Sequence, residues 1–262
     1  PVFNRNQGNI KTAKINSKIA ELNQNIDGDS TVDAAGKARA KKMAKDLADV
    51  NQRSIQAEGR LSAALPDNQA SPFGPDANLL SVRRGSNIVI NPLAKALQTV
   101  GRIIASHQTM GLRRQVFFVA LGGFDTHAGQ NVQHAWLMNQ LGHGMAYFDG
   151  LMQNLGLGDK VTTFTASDFG RSFTSNGDGT DHGWGSMHFV LGGAVKGKAY
   201  YGTPPVVANN GPDDIGQGRL IPTTSVDQYA ATMASWFGIS DSDMPTVLPN
   251  IGNYTATNLG FV

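Results

Sequence analysis

The sequence predicts an α/β domain, a mostly parallel sheet sandwiched by helices, preceded by a helical cap-like segment. Three observations carry that expectation: an Ala- and Lys-rich stretch poor in glycine up to residue 65, a block of Pro, Gly, Asn and Asp from 66 to 90, and beyond it apolar runs of strand length alternating with amphipathic runs of helix length. The expected organisation is therefore a helical appendage at 1–65, a linker at 66–90 and an α/β portion at 91–262.

Taken in order, STVDAAGKARAKKMAKDLADVNQRSIQAEGRLSAAL reads as one long helix, with Ser30 and Asp33 as capping residues at its start. Its apolar stripe is thin and mostly alanine. Alanine buries little area, so the helix suits a surface or cap position rather than a core. NPLAKALQTVGRIIASH places Leu93, Leu97, Val100, Ile103 and Ile104 at helical spacing behind Pro92, a residue suited to a first helical turn. QVFFVAL at 115–121, closed by Gly122 and Gly123, reads as a strand buried on both faces. The next helix carries a stripe of Leu137, Leu141, Met145, Phe148, Met152 and Leu155. VTTFTAS at 161–167 is rich in β-branched residues and reads as a strand, and HFVLGG at 188–193 as a third. SVDQYAATMASWFG closes the series as a helix with Ser225 at its cap and Gly238 at its end. Strand, helix and strand in that order imply a right-handed crossover and parallel neighbours.

Composition narrows the function classes. The 262 residues carry 22 basic and 20 acidic side chains, a formal charge of +2, and the two signs are interspersed. That pattern gives no footprint for nucleic acid or an anionic membrane, and no apolar run approaches the roughly 20 residues of a membrane span. The absence of cysteine excludes disulfides, thiolate metal sites and cysteine nucleophiles. PVFNRNQGN opens without an initiator methionine or a signal peptide, which suggests a processed chain or a fragment.

In an open α/β sheet, ligands bind beyond the carboxyl ends of the strands. GGFDTHAG follows the strand at 115–121, SDFGRS follows the strand at 161–167, and DGTDHGW lies in the next loop. Asp125 and His127 are two apart, so both face one point if the backbone is extended. Asp181 and His182 are adjacent and converge only across a turn, which Gly179 and Gly183 permit. Carboxylate and imidazole ligands in this mixture suit Zn, Mn, Fe or Ca. The plain alternative for each pair is an Asx-turn or a capping contact. Neither a phosphate-loop lysine nor a GxGxxG after a strand is present, so these glycine-rich loops give no support for nucleotide binding. His188 is a further ligand candidate. His134 and His143 read as packing residues on their helix, and Trp236 and Trp184 as core aromatics, Trp184 alternatively as a pocket wall.

RRQVFFVALGGFDTHAGQ, then VTTFTASDFGRSFTSNGDGTDHGWGSMHFVLGGAVKGKAYYG, then RLIPTTSVDQYAATMASWFGIS resemble, in order and from about residue 91 to the C-terminus, the bacterial family of domain of unknown function 1501, DUF1501. The resemblance implies kinship with the alkaline phosphatase and sulfatase superfamily, and so an alkaline-phosphatase-like fold binding one or two divalent metals. It implies Asp125 and His127 as ligands of one metal and Asp168 as a ligand of the other, with Phe169 standing where the superfamily has histidine. His182, with Asp181, matches the segment that brings a further histidine. Alternatively, Asp181-His182-Gly183 is the displaced Asp-His-Gly motif itself. The superfamily's nucleophile lies near the start of the fold, and its strand and turn are not seen here. The expectation is thus a C-terminal portion whose missing N-terminal part supplies the nucleophile.

On this resemblance the expected activity is metal-dependent hydrolysis of phosphate or sulfate esters, small or polymeric. Arg171, just after SDFG, is by its planar fork a candidate to bind the anionic oxygens, and a structural pairing with Asp178 or Asp168 is the equal alternative. The resemblance also implies a periplasmic or extracellular location. Two other classes stand beside it: a secreted structural or surface-binding protein that has lost turnover, and a carbohydrate-binding module for which Trp184 is the only hint.

Overall fold

The computed structural model describes residues 5–74 and 77–262; the first four residues, and residues 75 and 76 of the expected linker, lie outside this description. The chain divides into two compact units. One comprises residues up to Asp67 together with Arg102–Arg113, the other Asn68–Gly101 and Arg114–Val262.

The first unit is a helical hairpin with a short companion segment. Helices α1 (Arg5–Gly28) and α2 (Ala34–Ala64) pack on one another. The Asp33 side chain accepts from the Gly36 backbone N–H and is the cap of α2, whereas Ser30 lies outside the helix. Lys41 reaches back to Asp27 at 2.6 Å across the turn. Ala44 is the buried residue of α2, while Met43, Leu47 and Val50 face solvent, in keeping with its thin alanine stripe. Residues 102–113 fasten to the end of this hairpin: the Arg102 guanidinium donates to the Pro66 carbonyl at 2.7 Å and the Ser106 hydroxyl to the Ala64 carbonyl at 2.9 Å.

The second unit starts with a hairpin where the sequence suggested only a linker. Strands β1 (Ser81–Arg84) and β2 (Asn87–Ile90) pair antiparallel around Gly85 and Ser86. Helix α3 (Pro92–Ala105) follows, as its spacing predicts. Its cap is Asn91, fully buried, whose Oδ1 accepts from the Leu93 N–H at 3.0 Å while its Nδ2 donates to the Gln140 carbonyl at 2.8 Å. Helix α4 (Gln130–Asn154) buries Leu137, Met145, Phe148, Leu151 and Met152. A Cβ at Gly101 of α3 would lie 2.5 Å from Leu151, and one at Gly144 of α4 would lie 2.9 Å from Leu93. The two helices thus pack closely through these glycines.

Helix α5 (Val226–Phe237) has a full capping box, with Ser225 and Gln228 as its two members, and ends on Gly238 at φ 101°. Ala231 packs with Met244 of the short α6 (Met244–Val247) and with Ile251 in a second apolar cluster.

The expected parallel sheet is not formed among the described residues. Strand β3 is only Thr163–Phe164, and it pairs antiparallel with β6 (Val190–Leu191). Strands β4 (Gly170–Ser175) and β5 (Thr180–Gly183) form an antiparallel hairpin. Residues 115–121 are assigned to no strand, and no backbone hydrogen bond is found for them. Their side chains nevertheless alternate as in a strand: Val116 is 79% and Phe118 93% exposed, while Phe117 and Val119 are half-buried. β-Branched and aromatic content favours a pleated conformation but does not choose a partner, because pairing is set by residues remote in sequence.

Candidate metal centre

Two loops build the site. In the first, Thr126 is buried with 1% exposure, so its neighbours Asp125 and His127 project together to the opposite, solvent side. In the second, Asn176 and the turn after it close the β4–β5 hairpin, the Asn176 Oδ1 accepting from the Gly179 N–H at 2.8 Å. Gly179 lies directly against the first loop: a Cβ there would stand 2.3 Å from the Thr126 carbonyl oxygen, a contact only glycine avoids. Several hydrogen bonds join the loops across this approach. Gly129 N–H donates to Asp178 Oδ2 at 2.9 Å, Gln130 N–H to the Asp178 carbonyl at 3.2 Å, and Asn176 Nδ2 to the His127 carbonyl at 3.0 Å.

This brings Asp125, His127 and His182 together, with one ligand atom from each lying within 4.8 Å of the others. His127 Nε2 is 2.9 Å and His182 Nε2 2.7 Å from the same Asp125 Oδ1. In β4 and β5, Arg171 and His182 are cross-strand partners, and Arg171 Nη1 meets that same oxygen at 2.6 Å. First Arg171 and then His182, by hydrogen bonding, hold the Asp125 carboxyl below the ordinary carboxylate range, so it stays ionised and able to ligate in mild acid.

The donor set fits a divalent cation of borderline character. Two imidazole nitrogens and one carboxylate oxygen are three ligands, the count found in metal sites that keep a position open for chemistry. Metal bonds of about 2.05 Å in tetrahedral array space their ligands about 3.3 Å apart. The two separations from Asp125 Oδ1, 2.7 and 2.9 Å, are shorter than this by about half an ångström.

Asp181 has a different place from the one the resemblance implies. Its Oδ1 lies 3.1 Å from His127 Nδ1 and 3.3 Å from Asn176 Nδ2, and these two contacts, His127 first, hold its carboxyl below the usual range. It orients His127, leaving Nε2 directed toward Asp125, as carboxylates behind ligating histidines commonly do. Phe169 stacks on His182 with ring centroids 4.3 Å apart and planes 15° apart. The residue standing where a histidine was expected thus serves as a plate that fixes the neighbouring imidazole.

The remaining candidates lie elsewhere. Asp168 is exposed and is not part of the cluster. Arg171, expected to bind substrate, spends its fork within the protein: Nη1 is on Asp125, Nε donates to Thr180 Oγ1 at 3.1 Å, and Nη2 donates to the Thr180 carbonyl. His188 lies 3.2 Å from Thr165 Oγ1 and stacks on Tyr229. His134 sits edge-on to Phe124, and His143 meets Asn91 at 3.0 Å, both as packing residues. Trp184, 66% exposed, is no core residue. The fasteners Asn176 and Thr180 are not singled out in the sequence, and Asp178, a candidate partner of Arg171 there, instead accepts from the Gly129 N–H, although the turn signal SNGDG lies one residue before DHG.

The family of proteins of unknown function DUF1501 matches residues 5–249, and the chain belongs to that family. No curated protein and no solved structure matches it.

Proposed function

From this membership and this geometry, we propose that the chain is a metal-dependent hydrolase of phosphate or sulfate esters. The observation that carries the reading is the convergence of Asp125, His127 and His182 from two loops about fifty residues apart in sequence. A divalent cation held there supplies Lewis-acid polarisation of the ester and lowers the pKa of bound water. The protein's own groups do the rest: Asp181 fixes His127, Phe169 fixes the plane of His182, and Arg171 holds the Asp125 carboxylate ionised. On this reading Asp168 ligates a second cation only if its loop moves toward the cluster. Zn and Mn suit the N2O donor set better than Ca, which takes mostly oxygen. A periplasmic or extracellular location is part of the proposal, and the cysteine-free composition is compatible with it. No helix among the described residues is long and apolar enough to cross a membrane.

A second reading, a surface-binding protein without turnover, draws on one observation. Asp125 Oδ1 is already engaged by Arg171 Nη1 at 2.6 Å and His182 Nε2 at 2.7 Å, so the cluster holds together as a polar network without a cation.

The deciding measurement is metal content by plasma mass spectrometry on protein purified without chelators, for wild type, Asp125→Ala and His182→Ala, followed by turnover of 4-nitrophenyl phosphate and sulfate. Near-stoichiometric metal in wild type, lost in both variants, is the expected result. A metal-free wild type after reconstitution with Zn and Mn sinks the hydrolase reading.

A further inference from the structure

The unit that holds the Asp125 cluster also carries a groove with a different lining. The β1–β2 hairpin and the first turns of α4 border a groove of about 510 Å³, with Gly123, two residues before Asp125, forming part of its wall. Arg83 and Arg84 line it from the hairpin, and Gln133, Trp136 and Asn139 from the helix. No acidic residue is among the lining residues. The Arg84 guanidinium stands 5.0 Å over the Trp136 ring. A guanidinium held over an aromatic face by cation–π attraction keeps its five N–H donors for other partners. Among the described residues neither arginine is paired with a carboxylate. Gln133 and Asn139 each spend one amide hydrogen on a backbone carbonyl, of Ala128 and Arg83 respectively, and retain the second. Val132, 79% exposed, and the half-buried Trp136 supply apolar surface beside these donors.

Planar N–H donors, positive charge with no carboxylate partner among the described residues and an aromatic wall in one groove match one ligand chemistry: an oxyanion carried on an apolar ring. We propose that this groove binds ring-bearing organic oxyanions, with the phosphate, sulfate or carboxylate on the Arg84 edge and the ring against Trp136 and Val132. Arg84 is available for this role because, unlike Arg171, it is not committed to a protein carboxylate.

Isothermal titration calorimetry of the full chain with phenyl phosphate, phenyl sulfate and benzoate tests the proposal, with phenol and inorganic phosphate as controls that carry only the ring or only the charge. Saturable binding of at least one of the three ring-bearing anions, at least tenfold tighter than either control, is expected. Arg84→Gln should weaken it at least tenfold. Arg84→Lys, which keeps the charge but loses the fork, should weaken it several-fold. Asp125→Ala, which disables the candidate metal centre, should leave it within twofold of wild type. Far-UV circular dichroism checks that the variants fold, and Arg84 is exposed on a hairpin that either substitution leaves intact in length. The proposal is overturned if none of the three anions binds, if inorganic phosphate binds as tightly, or if both Arg84 variants bind like wild type. It also falls if Asp125→Ala alone abolishes binding, since the anion then sits at the metal centre.

Discussion

The interior formed by α3 and α4 and the rim formed by the two Asp/His loops use opposite means to hold side chains in place. In the interior, Leu97, Phe148, Leu151 and Met152 are buried, and glycines at 101 and 144 bring the helices close together. Position there is held by close packing, and its energy scales with the apolar area removed from water. On the rim, Asp125, His127 and His182 are about half exposed, at 53, 49 and 54%, and are held by hydrogen bonds and ring stacking. Exposed pairs of this kind add little stability. The difference teaches that this molecule keeps its packed interior and its candidate metal cluster in separate places, so the two should respond to mutation independently.

The sharpest way to break that comparison is from the interior side. Phe148→Ala should cost about 3–5 kcal/mol of stability, read as a large fall in thermal midpoint, through lost burial and the cavity left behind. Should the cost be near zero, the interior is not packed as described. On the rim, Asp181→Asn should leave the thermal midpoint almost unchanged while weakening metal binding roughly 10- to 100-fold, because His127 loses its orienting carboxylate. Competition with a metal-binding dye measures this, and an unchanged affinity removes Asp181 from its positioning role. Between these extremes, Ser225→Ala takes one side chain from the capping box of α5 and should cost about 1 kcal/mol. Chemical denaturation measures it, and metal binding should not change.

The smallest effect is one of pH. Burial holds His143 below the ordinary histidine value, and a neutral Nδ1 facing the Asn91 amide can accept a hydrogen bond where a protonated ring cannot. The unfolded chain takes up this proton near pH 6.5 and the folded chain only at lower pH. His143 therefore destabilises the fold as pH falls below about 6.5, and above that value it has no such effect. The thermal midpoint should fall between pH 7.5 and 5.5, and His143→Gln should make that fall shallower.

What was legible in the sequence follows from how local each signal is. Helix α5 could be read to the residue because Ser225 and Gly238 are caps written within one helical turn of its ends. Helices α3 and α4 were visible in their stripes, although the buried Asn91 that caps α3 was hidden behind Pro92. Asp125 and His127 could be read as a pair because a two-residue spacing on an extended backbone is a local property. Asp181 could not be separated from His182, since which of two adjacent side chains faces the ligand depends on the pairing of β5 with β4. The same limit hid the antiparallel pairing of β3 with β6 and the β1–β2 hairpin, whose turn, Gly85-Ser86, lay within a stretch read as linker.

The unpaired run at 115–121 has a consequence for how the rim behaves in time. Its amides have no hydrogen-bonded partner among the described residues, so they should exchange with deuterated solvent almost as fast as those of an unstructured peptide, while the amides within α4 exchange slowly. Asp125 lies between the two, four residues after the unpaired run and five before the start of α4. A cation that tied Asp125 to His182 would damp the loose side, and slowed exchange at 115–121 would report that binding without any change in shape.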